Sequence, residues 1–110
     1  MSDSEIWLLY STFPSGDEAI SAARALLEKK LVACANISSP ITSLYHWQGR
    51  LEQSQEVALL AKTAAGQVDK VIAVLKELHP YELPCVVAYP ASRGFAPFLA
   101  WVKAETALGG

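Results

Sequence analysis

The chain is short of charge, sulfur, histidine and long apolar runs, and each shortage closes off a class of function. Charged residues make up 18% of its 110 residues, against about 25% in an ordinary soluble domain. The nine basic side chains are scattered, with Lys29-Lys30 the only adjacent pair. No basic stripe can follow a phosphate backbone, so nucleic acid is not expected as a partner. No apolar run reaches membrane-spanning length, and no membrane partner is expected. Met1 to Phe13 carries Asp3 and Glu5 but no basic residue, unlike a secretory signal, so a cytoplasmic location is expected. The two cysteines, Cys34 and Cys85, are far apart and form no C-x-x-C. That argues against a disulfide scaffold or zinc knuckle and for free thiols. Gly94 in Ser92-Arg93-Gly94-Phe95 stands alone, so there is no glycine-rich phosphate cradle. No nucleophile lies beside a base, and no catalytic residue and no enzymatic activity are assigned.

What the chain does have is apolar surface: 52% of its residues are hydrophobic, more than a small monomer readily hides. Residues 1–110 read as a single domain. Ile6-Trp7-Leu8-Leu9-Tyr10 is a short continuous apolar run that suits a central strand. Ser15 and Glu18 match a capping box, opening a helix whose stripe is Ala19, Ile20, Ala23, Leu26 and Leu27. Extended structure is expected from Leu31 to Ile37, interrupted at Ser38-Ser39-Pro40 by a bulge or an exposed edge, and resumed from Ile41 to Trp47. Gln48-Gly49 is a two-residue hairpin signal before a strand over Leu51 to Thr63. Val68, Val71, Ile72, Leu75 and Leu78 form the stripe of a second helix. A fourth strand is expected over Cys85 to Tyr89, and a last helix near Pro97 carrying Phe98, Trp101 and Val102.

Strand, helix, strand, strand, helix, strand is the split βαβ, ferredoxin-like order: an α+β fold with an antiparallel sheet, helices on one face and an extra C-terminal helix. A strand of about thirteen residues reaches roughly 43 Å, whereas a helix of about fifteen is roughly 22 Å long. The extended hairpin between the second and third strands should therefore overhang its helical cover. Leu44, Tyr45 and Trp47 on that arm need a partner, and the nearest source is another copy of the chain.

Chemistry concentrates in His79-Pro80-Tyr81-Glu82-Leu83-Pro84-Cys85, where an imidazole, a phenol, a carboxylate and a thiol share seven residues with two stiff prolines. Pro80 biases the residue before it away from helix, so the second helix should end at Leu78 or His79. His46 beside Trp47 is assigned to the exposed arm and not to a ligand set.

Four segments together, Leu31 to Ile37, Ser43 to Gly49, Glu56 to Thr63 and His79 to Pro84, resemble the divalent-cation tolerance proteins of the CutA family. Trp101 in the last helix adds to the likeness. The resemblance implies a ferredoxin-like homotrimer whose long arms pack on neighbouring subunits. It also implies a role in tolerance of, or response to, copper and other divalent metal ions. Some members carry a cysteine at the end of the first strand and two histidines before Pro-Tyr. Here Ser11 and Leu78 stand at two of those positions, and only His79 carries over. The expected metal donors are therefore His79, Glu82, Cys34 and Cys85, repeated by threefold symmetry around inter-subunit clefts and holding copper or another divalent cation weakly. The trimeric plan also resembles the PII-like signalling proteins, which implies an alternative: a small anionic ligand gripped by Arg50, Lys62 and Arg93. A trimeric scaffold with no ligand is the third reading.

Overall fold

The computed structural model describes residues 4–107. In chain order it contains β1 (Ile6–Phe13), α1 (Gly16–Glu28), β2 (Cys34–Ile37), β3 (Ile41–Trp47), β4 (Arg50–Ala64), a 3-10 turn (Ala65–Gln67), α2 (Val68–Leu78), β5 (Val86–Pro90) and α3 (Ala96–Glu105). All strand pairings are antiparallel. The sheet order is β2-β4-β1-β5, with β3 pairing along the outer reach of β4.

Alternation along β1 and β4 gives the sheet two unlike faces. Leu9, Ser11 and Phe13 of β1, with Val57, Leu59, Ala61 and Thr63 of β4, are buried. Most of them join Ala19, Ala22, Ala23 and Leu26 of α1 and Val71 and Leu75 of α2 in one cluster. The opposite face carries Tyr10 between Leu60 and Val87, and Leu8 between Lys62 and Tyr89. α1 and α2 pack on the other side, α3 touches β1 and β4, and Val87 and Tyr89 are exposed.

α1 opens as its sequence indicates, with the Ser15 Oγ accepting the Glu18 amide at 3.2 Å. Its end departs from expectation. Leu31, Val32 and Ala33 are not strand, and β2 begins only at Cys34. Lys30 takes a left-handed φ of 56°, the Lys30 amide donates to the Leu27 carbonyl, and the Leu31 amide donates to the Leu26 carbonyl. This pair of bonds is a Schellman stop, normally built around glycine. The apolar run that reads as strand is thus drawn into the core as the helix terminator, with Leu31 and Val32 buried.

The interruption at Ser38-Ser39-Pro40 is a one-residue bulge. Ile37 pairs with Leu59 and Ile41 with Glu56, so three residues on one strand face two on the other. Within it the Ser38 amide donates to the Ala58 carbonyl, and the Ser38 Oγ accepts the Ala58 amide at 2.8 Å. Adding one residue to a period of two reverses the facing of everything beyond it. Ala35 and Ile37 oppose the core residues Ala61 and Leu59, whereas Ser43, Tyr45 and Trp47 oppose Ser54, Glu52 and Arg50. The odd-numbered side chains of β3 therefore continue the uncovered face. The arm closes through Gln48 (φ 49°) and Gly49 (φ 79°), the two positive φ angles of a type I′ hairpin turn.

Candidate functional site: a cleft under the hairpin arm

α2 ends at Leu78, and His79 is already extended (φ −78°, ψ 135°), as the following proline demands. The His79 ring turns inward. It is 8% exposed, stacked on Phe13 with centroids 4.3 Å apart. Its Nε2 lies 2.7 Å from the Thr12 carbonyl, and its Nδ1 accepts the Tyr81 amide at 3.2 Å. These bonds assign the tautomer: Nδ1 carries the lone pair and Nε2–H donates. Both nitrogens are thus committed to holding the corner between β1 and the 80–85 segment, a use that residue type alone does not disclose. Metal ligation by His79 requires one of these bonds to be given up, at about 1 kcal/mol each.

The corner forms one wall of a cleft of about 850 Å³. Tyr10 and Thr12 contribute from the uncovered sheet face, Pro80 to Leu83 and Cys85 from the corner, and Tyr45, Trp47, Glu52 and Glu56 from the arm. Tyr81 ties the walls together, its hydroxyl donating to Glu56 Oε2 at 2.8 Å. Burial, then this hydrogen bond and the charge of Glu56, hold the Tyr81 phenol well above its ordinary range. Desolvation first and Glu56 second push the Cys85 thiol up as well.

The sequence-derived donors are divided. Cys85 and Glu82 line the cleft, His79 sits behind its wall with both nitrogens bonded, and Cys34 lies on β2 opposite Lys62, outside the cleft. Among the described residues no three histidine, cysteine or acidic side chains gather closely enough to hold a metal ion. Ser11 is fully buried with no hydrogen-bond partner for its Oγ, whereas Leu78 is 47% exposed, so the two positions that depart from the family pattern face different environments. The candidate anion-binding side chains are not assembled at the cleft either. Lys62 donates to Asn36, Arg50 follows the hairpin turn and Arg93 precedes α3, and none of the three lines it. Tyr81 was legible as a phenol in the 79–85 cluster, but Glu56 only as a strand residue. Their meeting depends on β4, whose alternation puts Glu56 on the same face as Leu60 while Val57 and Leu59 enter the core, and on the corner that brings Tyr81 across to it.

Both cysteines are free. Mass spectrometry of the unreduced protein after alkylation is expected to show two modified thiols. Cys85 should react slowly at neutral pH and faster as pH rises past the ordinary thiol range, because its neutral form is the favoured one. Glu56→Gln should speed the reaction at any fixed pH. A mass two units low with no alkylation would mean a disulfide, and Cys85 reacting with an ordinary or lowered pH midpoint would contradict the electrostatic reading.

Comparison with known proteins converges on one family. The model described as CutA1 divalent ion tolerance protein matches residues 7–105. The divalent-cation tolerance protein CutA of Thermus thermophilus is 41% identical over 95 residues, covering 86% of this chain and 92% of that protein. The Protein CutA homolog of Xenopus laevis is 41% identical over 93 residues, covering 84% of this chain but 62% of the relative. The chain spans between about half and two thirds of the length of such vertebrate relatives, 54% for the human Protein CutA. Among solved structures, the divalent ion tolerance protein CutA1 of Ehrlichia chaffeensis superposes with a TM-score of 0.90 at 36% identity, covering 97% of this chain and 100% of the other. A CutA of Archaeoglobus fulgidus, described as periplasmic, does so with 0.88 at 40% identity, covering 92% and 98%.

Proposed function

Because this chain belongs to the CutA1 divalent ion tolerance family, we propose that it is a trimeric, ferredoxin-like metal-binding protein that takes part in copper or other divalent-cation tolerance without catalytic turnover. The family is named for tolerance and not for a reaction. The observation that carries the metal reading is the pairing of the Cys85 thiol and the Glu82 carboxylate on the wall of a cleft that no lysine or arginine lines. Cys85 and Glu82 alone are an incomplete set for a transition metal. Donors from a neighbouring copy, His79 and Cys34 among the sequence-derived candidates, would have to complete it.

Self-association is supported by the uncovered face bearing Leu8, Tyr10, Leu60, Val87 and Tyr89, and by the overhanging arm, where Leu44 is 66% and Leu51 72% exposed. Two free thiols suit the cytoplasm, a reducing compartment. Among the described residues no helix is long and apolar enough to cross a membrane.

The donor set dictates the metal preference. With the His79 imidazole committed to the corner, the soft donor on the cleft wall is the Cys85 thiol, whose thiolate favours Cu(I). Anaerobic titration should show Cu(I) binding more tightly than Zn(II). Affinity should rise with pH, because ligation must displace the thiol proton that desolvation and Glu56 retain. Cys85→Ser combined with Glu82→Gln is expected to weaken binding at least tenfold. Equal affinity in parent and double variant would remove the cleft from the metal site, and no binding by the parent would leave the scaffold reading in its place.

A further inference from the structure

A copper site needs sulfur and nitrogen donors that the fold has not already used. The chain has two cysteines and two histidines, so the candidates can be taken one at a time. His79 is buried with both ring nitrogens in hydrogen bonds. Cys34 lies on β2 opposite Lys62, away from the cleft. Cys85 is exposed on the cleft wall with Glu82. That leaves His46, which is exposed on the arm and whose ring enters no hydrogen bond among the described residues.

Alternation along β3 puts Tyr45 and Trp47 on one side of the arm and Leu44 and His46 on the other. The register sets His46 opposite Leu51, so Leu44, His46 and Leu51 share the second side. His46 borders its own chain's cleft at the arm end, yet among the described residues no three histidine, cysteine or acidic side chains of one chain converge on a metal position. Cys85 and Glu82 thus lack a third donor in their own chain, and the His46 nitrogens lack a use in theirs. Leu44 and Leu51 are exposed, and a second copy seated against this side would cover both leucines and the ring between them. An imidazole carried into such a contact needs a polar partner there. The corner supplies one, because exposed Leu83 offers apolar surface between Glu82 and Cys85. The outer side of the arm and the corner are different patches. A contact between them is heterologous, the kind that closes into a ring of three and not into a two-fold dimer.

We infer that the metal site lies between chains, with the Cys85 thiolate and the Glu82 carboxylate from one copy and the His46 imidazole delivered by the arm of its neighbour. The inference rests on the trimeric metal-binding reading above and names the donor which that reading lacks. Thiolate suits Cu(I), and imidazole is a copper ligand as well. Sequence alone leaves His46 out of the ligand set. The fold brings it in, because the corner consumes the other imidazole.

The test is an anaerobic Cu(I) titration of the assembled protein, followed by proton NMR of its two imidazoles. Cu(I) is diamagnetic, so the His46 ring resonances are expected to shift saturably while those of His79 stay in place. His46→Gln should weaken Cu(I) binding at least tenfold without changing the sedimenting mass. Should that variant fall apart into single chains, the shift in the parent decides by itself. Co-expression of His46→Gln chains with Cys85→Ser chains then asks which copy supplies the imidazole. Neither variant alone should bind tightly. Random mixed trimers should regain tight binding in about a quarter of their clefts, since half the walls keep the thiol and half the arms that meet them keep the imidazole. No recovery in the mixture would place both donors in one chain and overturn the inference. A His46 resonance unmoved by bound Cu(I), or a His79 resonance moving in its place, would overturn it as well. These outcomes leave the reading of Cys85 and Glu82 standing. A parent that binds no Cu(I), or binds it as tightly after Cys85→Ser, removes that reading and the inference with it.

Discussion

His79→Ala is expected to lower the stability of the metal-free protein by about 3 kcal/mol, read as a fall in the urea midpoint at fixed protein concentration. The ring makes two hydrogen bonds, to the Thr12 carbonyl and from the Tyr81 amide, each worth about 1 kcal/mol net. Its stack on Phe13 contributes about another 0.5–1.5 kcal/mol. The substitution also leaves the Thr12 carbonyl unpaired in a buried place, and the 80–85 segment then loses its anchor to β1. Protein concentration must be held constant because assembly and folding are linked by mass action. Were His79 only a metal ligand waiting for its ion, removing it would leave the metal-free protein as stable as the parent. That result would contradict the corner described here.

The second large effect concerns assembly. Leu60 lies at the middle of β4 on the uncovered face, opposite Tyr10 on one side and Asn36 on the other, while its sequence neighbours Leu59 and Ala61 are fully buried under the helices. Leu60→Asp changes only the face turned away from α1 and α2. A charge there must be desolvated if a second copy seats on it, which costs several kcal/mol when unpaired. The parent should sediment at three times the 11.9 kDa chain mass at micromolar concentration, and Leu60→Asp at the mass of one folded chain. A parent that sediments as one chain would sink the trimer proposal. A variant that remains trimeric would move the interface off this face.

Both effects involve residues whose types are ordinary. Histidine at a helix end before proline reads from sequence as a dipole partner or a ligand, because the two bonds that occupy its ring come from positions 67 residues upstream and two residues downstream. The downstream bond is local, and the residue type permits it. The upstream bond exists only because β1 ends beside the end of α2. The four expected metal donors illustrate the same limit. Glu82 and Cys85 are close in sequence and share a wall, but Cys34, on a strand at the sheet edge, is carried away from them by the strand order.

The hydrophobic pattern and the local punctuation were enough to determine the element order, the Ser15 cap, the Gln48-Gly49 turn, the end of α2 at Pro80 and the resemblance to the family, since each depends on residues within a few positions of one another. The fate of Leu31-Val32-Ala33 was not determined there. An apolar run suits a strand or a buried helix stop equally, and the choice was made by Lys30 entering the left-handed region so that Leu31 could fall back on Leu26. Nor could alternation say which side of the arm faces the cleft. A single extra residue in the bulge at Ser38-Ser39-Pro40 reverses the parity of β3 relative to β2, and its size is set by how β2 and β3 both register on β4. Tertiary pairing therefore decided that Tyr45, Trp47, Glu52 and Glu56 meet Tyr81 and Cys85 across one cleft, because a strand's facing is a property of its partner's register and not of its own sequence.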